Sequence, residues 1–347
     1  MLEKTVFAND LEIKNTIQKV YGLRPENVER LNRGSANLYK IESNSNYYIL
    51  KEFQSKYTDI EVKKEINVIN HLKRKKVKVP TYVKCLNGND SFIYKEKTII
   101  MQEFIDGYTM DPNNGDYAQT IESAMNLGKI IQGLEDLPFM LPVNHLSSWY
   151  SKERLVNSKK KHFAILKLLT DNHIDRKIRH DITDKINMLD DIITDDDIIT
   201  DFDFSEMSNL TCKNTHGDYS VMQFIYKDGK INAIIDFVSA CKMPIVWEII
   251  RSYSYIDEKA KDGEFDINNL IDYVKEFCKY VSLNKCDIKY MPYVYMLQLL
   301  NSTYGYKQFL NDRNNKEMLD FGRLRTNICR YLYNNAELIS KKIIREH

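Results

Sequence analysis

The sequence predicts an α+β fold with two lobes, an antiparallel sheet with one helix followed by a mainly helical lobe. Up to residue 105, short apolar runs alternate with turn residues, which is typical of antiparallel strands. From residue 106 onward, apolar residues recur at helical spacing in one segment after another. With 347 residues, of which 43% are hydrophobic, the chain is long enough to bury a core in each lobe.

The first lobe begins with a predicted three-stranded meander between Val28 and Phe53. Its turns are Arg33-Gly34-Ser35 and Ser43-Asn44-Ser45-Asn46. Thr58 and Glu61 then form a capping-box pattern, which indicates the start of a helix. We expect this helix to bury one face, because apolar residues follow at helical spacing: Val62, Ile66, Ile69 and Leu72.

Two further strands complete the first lobe. Apolar runs occur at Phe92–Tyr94 and Thr98–Phe104, and Asp106-Gly107 ends the pattern. We place the lobe boundary there, so that residues 1–105 form the first lobe and residues 106–347 form the second.

The second lobe is predicted to contain long helices and one hairpin. Amphipathic spacing predicts helices at 117–135, 150–169, 174–193, 266–280, 289–311 and 319–343. The hairpin strands are Phe224–Tyr226 and Ile231–Ile235. Between them lies Asp228-Gly229, which is the favoured pair for a tight type I′ turn.

The flanks of this hairpin carry side chains suited to metal binding. If Asp228-Gly229 is the turn centre, Gln223 faces Ile234 on the opposite strand. Asp236 then faces Val221, so Gln223 and Asp236 share one face. Diagonal neighbours in a hairpin lie about 7–8 Å apart, and two oxygen-bearing side chains can close that span around one hard cation. The pattern predicts Mg²⁺ ligands at Gln223 and Asp236.

Three more polar residues complete the parts that phosphoryl transfer requires. Asp218 lies in a loop before the hairpin, where irregular backbone can present a carboxylate to a substrate. Lys51 ends a strand and Glu65 lies on the following helix, so the two can form an ion pair that holds the lysine on phosphate groups. The chain thus has a carboxylate for the attacking hydroxyl, metal ligands and a cation for the phosphates.

These motifs resemble the aminoglycoside phosphotransferase and choline kinase-like family over about residues 28–255. The residues that carry the resemblance are His216-Gly217-Asp218, Asp236, Lys51, Glu65 and the segment Met101–Gly107. The resemblance implies a protein-kinase-like fold with ATP and Mg²⁺ as cofactors. It also implies transfer of the γ-phosphate to a hydroxyl of an antibiotic, a sugar or an amino alcohol, with ATP in the first lobe and the acceptor in the second.

The same resemblance implies roles for individual residues. Asp218 is expected to be the catalytic base, and Asp236 a metal ligand. Gly34-Ser35 corresponds to the nucleotide loop. The backbones of Glu103 and Ile105 correspond to a hinge that meets adenine.

Two departures from the family pattern leave a second function open. Gln223 stands where the family usually has Asn, although the maltokinase branch is similar to this chain in having Gln there. The nucleotide loop has Gly34 as its single glycine. The alternative is a catalytically weak kinase-fold protein with a binding or structural role, similar to spore-coat relatives. Intact Lys51, Asp218 and Asp236 favour the enzyme.

Aromatic residues in the second lobe have two interpretations. Around Trp247, the sequence predicts core packing and an ion pair between Glu248 and Arg251 that holds the catalytic loop. Several tyrosines recur at helical spacing, which favours core positions and leaves stacking on an acceptor as the alternative: Tyr290, Tyr293, Tyr295, Tyr304 and Tyr306.

Composition excludes several classes of partner. Fifty Lys and Arg residues against 49 Asp and Glu give a formal charge of +1, so the chain has no broad field for nucleic acid. It lacks an apolar run of about 18 residues and a signal-like N-terminus. Its six cysteines lack the close pairs of a zinc or iron-sulfur site. We expect a cytoplasmic protein with a small-molecule acceptor and no nucleic-acid or membrane partner.

Overall fold

The structure is a computed structural model that describes residues 3–31, 36–144, 151–194 and 206–346. The strands are β1 (Asn27–Leu31), β2 (Asn37–Ser43), β3 (Asn46–Glu52), β4 (Ser91–Tyr94), β5 (Lys97–Glu103), β6 (Cys212–Thr215), β7 (Phe224–Lys227), β8 (Lys230–Ile234) and β9 (Cys241–Pro244). The helices are α1 (Asp10–Tyr21), α2 (Asp59–Arg74), α3 (Tyr117–Gly133), α4 (Lys152–Lys167), α5 (His173–Thr194), α6 (Ile245–Ile256), α7 (Ile267–Cys278), α8 (Lys285–Leu300), α9 (Tyr306–Asn311) and α10 (Lys316–Glu346).

The N-terminal sheet has five antiparallel strands in the order β1-β2-β3-β5-β4, which confirms the predicted meander and the α+β class. The turn between β2 and β3 has Asn44 and Ser45 at positive φ. One face of the sheet packs with α1 around apolar side chains that include Ile17, Ile41 and Leu50. The sheet therefore has its own core, as its alternating sequence pattern predicts.

Helix α2 follows β3 and begins at the predicted capping box. The Thr58 side chain accepts from the Glu61 backbone N–H, and the Glu61 carboxylate accepts from the Thr58 N–H. Such reciprocal bonds satisfy two backbone donors that the first turn of a helix leaves unpaired. The predicted apolar stripe is buried, and Glu65 lies buried on the same helix.

The chain divides into two compact units, and the first is discontinuous. It comprises Met1–Thr109, Asp136–Met140 and Gln223–Ala240, and the second comprises the rest. Hydrogen bonds explain why the hairpin groups with the first unit, since Tyr226 and Tyr108 exchange two backbone bonds of 2.8 and 2.9 Å. The predicted division at 105/106 assumes two continuous segments, so it does not include the grouping of the hairpin with the first unit. The assignment of ATP and acceptor to separate lobes stays a prediction.

Gly107 permits the close approach of this hairpin to the segment after β5. Its φ is +147°, a conformation that L-residues rarely adopt. A Cβ at this position would lie 2.2 Å from the carbonyl oxygen of Tyr226. The Asp106-Gly107 break is thus a site of backbone contact within the first unit.

The hairpin has the predicted turn, but its register changes along the strands. Asp228 and Gly229 have φ of 50° and 74°, as a type I′ turn requires. Near the turn the predicted pairing holds, with Tyr226 opposite Ile231. A bulge then shifts the pairing by one residue, so that Phe224 rather than Gln223 lies opposite Ile234. Such a shift moves side chains to the other face of a strand.

The second unit is mainly helical, and one predicted helix is wrong. The predicted helix 289–311 is two helices, α8 and α9, separated by a turn that ends at Gly305. Gly305 has a φ of +93°, and a Cβ there would lie 2.6 Å from the Cα of Gly322 on α10. This backbone contact breaks the helix even though the apolar spacing continues across it. Within the described ranges, no helix combines the length and apolar character that crossing a membrane requires.

Candidate active site

Lys51, Glu65 and Asp236 form one ion cluster in the first unit. The Lys51 ammonium lies 3.3 Å from Glu65 Oε1 and 3.0 Å from Asp236 Oδ1. The predicted Lys51–Glu65 ion pair is therefore present, and Asp236 joins it from a position 185 residues further along the chain. The Lys51 ammonium also lies 4.4 Å from the centre of the Phe53 ring.

Burial and the two carboxylates act in opposite directions on this cluster. Burial would lower the pKa of Lys51, but the negative charges of Asp236 and Glu65 raise it above its usual range, which keeps the ammonium charged. Burial raises the pKa of Glu65, and Asp236 raises it further by repulsion. Asp236 is the nearer partner of Lys51 and the more exposed carboxylate, with 24% of its side chain accessible against 2% for Glu65. The Lys51–Asp236 contact is accordingly the main charge pair.

The backbone at Asp236 is held in an uncommon conformation. Its φ and ψ are 67° and 58°, in the left-handed region, immediately after β8. Such a conformation costs a non-glycine residue about 1–2 kcal/mol. Lys64, from helix α2, anchors the following turn by donating to the carbonyl oxygens of Val238 and Ala240 at 2.7 and 3.1 Å. The fold thus stabilises the turn that directs this carboxylate toward Lys51.

The predicted shared strand face of Gln223 and Asp236 is wrong. Val221–Gln223 forms a 3-10 turn rather than a strand, and Asp236 lies beyond the end of β8. The two segments nevertheless stay adjacent, because the backbone N–H of Ile235 donates to the carbonyl of Gln223 at 3.0 Å. Metal binding by Gln223 and Asp236 remains a prediction that rests on this adjacency.

The chemistry of the cluster fits Mg²⁺ bound together with a nucleotide. Among the described residues, no three His, Cys, Asp or Glu side chains form a metal site by themselves. Mg²⁺ does not require one, since it typically binds one or two carboxylates together with substrate phosphates and water. The cluster has one ammonium and two carboxyl groups, and Glu65 Oε2 is buried with no hydrogen-bond partner among the described residues. Asp236, a partly exposed oxygen donor, is the residue that would hold the ion.

The predicted adenine hinge follows β5, and two of its three backbone N–H groups are paired with described residues. Glu103 ends β5, and its N–H donates to the carbonyl of Thr81. The N–H of Phe104 donates to Tyr47. The Ile105 N–H makes no hydrogen bond to a described residue, as a donor to adenine would require. Contact of Glu103 and Ile105 with adenine stays a prediction, and the nucleotide-loop residues Gly34 and Ser35 lie outside the described residues.

The His216-Gly217-Asp218 loop is held by a buried glutamate in the second unit. Glu248 Oε2 accepts from the backbone N–H of His216 at 3.2 Å, and Oε1 accepts from that of Tyr219 at 3.1 Å. The Asp218 N–H donates to Nδ1 of His216 at 3.3 Å, so the histidine ring helps to order the loop. Gly217 has a φ of 81°, so the loop needs glycine at that position. Burial raises the pKa of Glu248 to about 7.

Arg251 pairs with Asp218 and not with Glu248, which corrects the predicted ion pair. Its guanidinium donates to Asp218 Oδ1 at 2.5 Å and to the carbonyl of Tyr219 at 2.7 Å. The Arg251 side chain is 10% exposed, whereas that of Asp218 is 40% exposed. The arginine therefore holds a carboxylate that still faces solvent, as a group that meets a substrate must. The sequence predicts that Arg251 is structural, but only the folded structure identifies its partner.

Sequence analysis also missed Tyr82, which lies near the ion cluster. Tyr82 is 8% exposed, and burial together with the charges of Glu65 and Asp236 raises the pKa of its hydroxyl well above the usual range. The residue lies outside the named strands and forms one isolated bridge with Gln102. An irregular segment of this kind gives no periodic signal in a sequence.

Comparisons with known proteins identify the family and the fold of the chain. The profile of the phosphotransferase enzyme family matches residues 27–274 of the chain. No curated protein sequence matches at a significant level.

Solved structures show the same fold at low sequence identity. Spectinomycin phosphotransferase in its AMP-bound form has a TM-score of 0.65 and 14% identity, with 94% of this chain and 97% of that chain covered. An amicoumacin kinase in complex with AMP-PNP, Ca²⁺ and Ami has a TM-score of 0.61 and 14% identity, with 93% of each chain covered. Plasmodium vivax ethanolamine kinase has a TM-score of 0.58 and 15% identity, with 96% and 93% covered. The predicted protein-kinase-like fold is confirmed.

Proposed function

Because this chain belongs to the phosphotransferase enzyme family, as the sequence motifs predicted, we propose that it transfers the γ-phosphoryl group of ATP, bound with Mg²⁺, to a hydroxyl group of a small molecule. The observation that carries the proposal is the ion cluster of Lys51, Glu65 and Asp236. It supplies a cation for the phosphates and an oxygen ligand for a metal in one unit of the fold.

The cluster supports the proposed nucleotide binding. Glu65 holds the Lys51 ammonium from the α2 side, so that the ammonium can bind phosphate oxygens without a large loss of side-chain entropy. Mg²⁺ supplies further positive charge against the phosphates when it is bound, and Asp236 with Gln223 would hold it. The Glu103 carbonyl and the Ile105 N–H would bind the adenine edge, with Gly34 and Ser35 at the phosphates.

Asp218 is the proposed base for the acceptor. As the acceptor oxygen forms a bond to the γ-phosphorus, the bond from that phosphorus to the ADP oxygen breaks, and the hydroxyl proton passes to the Asp218 carboxylate. Arg251 and Glu248 hold the loop so that this carboxylate has one orientation. A fixed base needs little reorganisation during the reaction, which lowers the barrier.

Antibiotics, sugars and amino alcohols are the acceptor classes that the family resemblance suggests. Two of the similar structures are an antibiotic-modifying enzyme and an amino-alcohol kinase by their names. ATP as the donor also fits the expected cytoplasmic location. The phosphate machinery is shared across such acceptors, so the acceptor has to be found by experiment.

A kinase screen tests the proposal. Purified protein is incubated with ATP, Mg²⁺ and single compounds from an antibiotic, sugar and amino-alcohol panel, and ADP release is measured. We expect at least one acceptor to raise ADP release well above the rate that the protein shows without an acceptor. We expect Asp218→Asn to abolish this increase. Tight Mg²⁺-dependent ATP binding with no turnover on any acceptor would instead favour the catalytically weak binding protein.

A further inference from the structure

Arg325 is a buried arginine of the C-terminal helix that lacks an acidic partner among the described residues. It lies in α10 and is 9% exposed, yet it has no carboxylate within 4.0 Å among the described residues. Nearby arginines differ, since Arg330 lies 2.5 Å from Asp184, and Arg323 lies 3.4 Å from Asp181. The Nε atom of Arg325 is buried without a hydrogen-bond partner in the described part of the chain. A buried guanidinium of this kind needs an anion or acceptor to become favourable.

Two aromatic rings, Phe321 and Tyr304, lie beside the Arg325 guanidinium. Its guanidinium carbon lies 5.6 Å from the centre of the Phe321 ring and 5.9 Å from that of Tyr304. Tyr255 stacks on Phe321, with ring centres 5.9 Å apart and planes 11° apart. We call Tyr255, Phe321 and Tyr304 the aromatic wall. Tyr304 is 47% exposed, so this wall reaches solvent at one end.

The aromatic wall leads from Arg325 to the predicted base within the second unit. The guanidinium of Arg251 lies 5.1 Å from the ring centre of Tyr255, and the same guanidinium donates to Asp218. Arg325 and Asp218 therefore lie at the two ends of one run of contacts. A molecule whose hydroxyl lies at Asp218 could place its far end beside Arg325.

We propose that Arg325 binds an anionic group of the acceptor, so that the substrate is a hydroxyl compound with a carboxylate or phosphate group and an apolar or aromatic body. The inference rests on the proposed kinase function. A guanidinium binds a carboxylate or phosphate through two parallel N–H bonds, and a side-on pair would satisfy the buried Nε of Arg325. Phe321 and Tyr304, the more exposed rings of the aromatic wall, would pack against the body of the acceptor, whereas Tyr255 is 2% exposed and supports Phe321 from behind. Ammonium groups at this position would instead be repelled by Arg325, so polycationic acceptors are disfavoured.

Matched acceptors separate this inference from the kinase proposal. The probes are pairs of hydroxyl compounds that differ in one group: a carboxylate and its amide, a carboxylate and the corresponding amine, and a phosphate monoester and its neutral alcohol. ADP release reports turnover, and calorimetry on Asp218→Asn with ADP and Mg²⁺ reports binding without turnover. We expect the anionic member of a pair to bind and react better by about tenfold or more. The carboxylate and phosphate arms identify which anion is bound.

Three variants complete the test. Arg325→Gln should raise KM for the anionic acceptor by about tenfold or more, while KM for ATP stays within about twofold. Arg325→Lys should retain part of the affinity for the anionic acceptor, because lysine keeps the positive charge but lacks the two parallel N–H donors of a guanidinium. Arg330→Gln, which removes an arginine with acidic partners, should leave acceptor discrimination unchanged. A circular-dichroism melting curve for each variant separates folding defects from binding defects.

Each outcome bears on one proposal. If neutral or cationic members are the better ligands, or if Arg325→Gln leaves their order unchanged, the anionic-acceptor inference is wrong even when turnover is high. If anionic compounds bind in an Arg325-dependent manner but no acceptor is phosphorylated, Arg325 is an anion-binding site, and both the kinase proposal and the acceptor role of the bound compound fail. If no anionic compound binds at millimolar concentration, the inference fails whatever the kinase result.

Discussion

The ion cluster of the first unit and the His216-Gly217-Asp218 loop of the second each contain a buried glutamate, but they are stabilised in different ways. Glu65 contacts a charged side chain, Lys51, which can also bind phosphate. Glu248 contacts backbone N–H groups of the His216 loop. Glu65 therefore fixes the position of the Lys51 ammonium, whereas Glu248 fixes the backbone conformation of the loop. From this difference we expect the ion cluster to determine nucleotide affinity and the loop to determine the rate of phosphoryl transfer.

The largest expected effect separates the two regions at Asp218. Asp218→Asn keeps the shape of the side chain but removes its basicity, so turnover on the screened acceptor should fall about a hundredfold to ten-thousandfold. ATP affinity should stay unchanged, since the interaction belongs to the transition state. Steady-state rates and calorimetry with a non-hydrolysable nucleotide measure the two quantities. Equal losses in rate and affinity would mean that Asp218 belongs to the nucleotide site.

The next effect concerns the buried glutamate of the loop and its pH dependence. Burial raises the pKa of Glu248 from 4.5 to about 7, so the folded protein binds this proton more firmly than the unfolded chain. The resulting stability is complete below about pH 4.5 and is lost as pH rises through about 7. One pKa unit corresponds to about 1.4 kcal/mol, so the loss should be about 3 kcal/mol.

Urea unfolding of the wild type and Glu248→Gln between about pH 5 and about pH 8 measures this slope. The variant lacks the titrating group, so its free energy of unfolding should not show the extra decline of the wild type across this range. Glu258→Gln, at an exposed position, is the control and should behave as the wild type does. Parallel pH profiles for wild type and Glu248→Gln would contradict the raised pKa.

Nucleotide affinity should respond to Lys51. Lys51→Ala removes the cation that faces the phosphates, and the dissociation constant of ATP in Mg²⁺ should rise about tenfold to a hundredfold. The change also removes the ammonium that lies between the Glu65 and Asp236 carboxyl groups, which can destabilise the first unit. Lys51→Ala combined with Glu65→Gln relieves that repulsion, so it should recover stability without recovering affinity. An unchanged dissociation constant would make Lys51 a purely structural residue.

The smallest effect is expected at Gln223, which lies in the sequence between the His216-Gly217-Asp218 loop and the first strand of the hairpin. Gln223→Asn keeps the amide oxygen and shortens its reach by one methylene, so turnover should change by less than about fivefold in either direction. Titration of the rate with Mg²⁺ measures whether the metal requirement moves with it. Complete loss of turnover in this variant, together with normal turnover in Asp218→Asn, would assign the essential role to Gln223.

Local sequence signals predicted the elements that position the site. The capping box at Thr58 and the alternating strands place Lys51 and Glu65 on neighbouring elements, so their ion pair could be predicted. The Asp228-Gly229 turn likewise depends on residues that are adjacent in sequence. Local signals of this kind predict the structure correctly because the tertiary contacts favour the same conformation.

Features set by distant contacts could not be predicted. No residue in the hairpin sequence indicates the bulge. The bulge changes the strand register, so the predicted shared face of Gln223 and Asp236 does not form. Gly305 breaks a continuous apolar pattern because it packs on the backbone of Gly322. The partner of Arg251 depends on the path of the loop, since Glu248 and Asp218 both lie near it along the fold. In each case, the deciding group is remote in sequence or has no periodic pattern.

Mg²⁺-dependent nucleotide binding by Asp236→Asn, compared with Asp218→Asn, tests the separation of the two regions most directly. The titration follows ADP affinity by calorimetry at low and at saturating Mg²⁺. If the first region holds the metal and the second acts on the hydroxyl, Asp236→Asn should lose most of the increase in affinity that Mg²⁺ gives, because its carboxylate charge is gone. Asp218→Asn should keep the full increase. An undiminished Mg²⁺ effect in Asp236→Asn, or an equal loss in both variants, would contradict this separation.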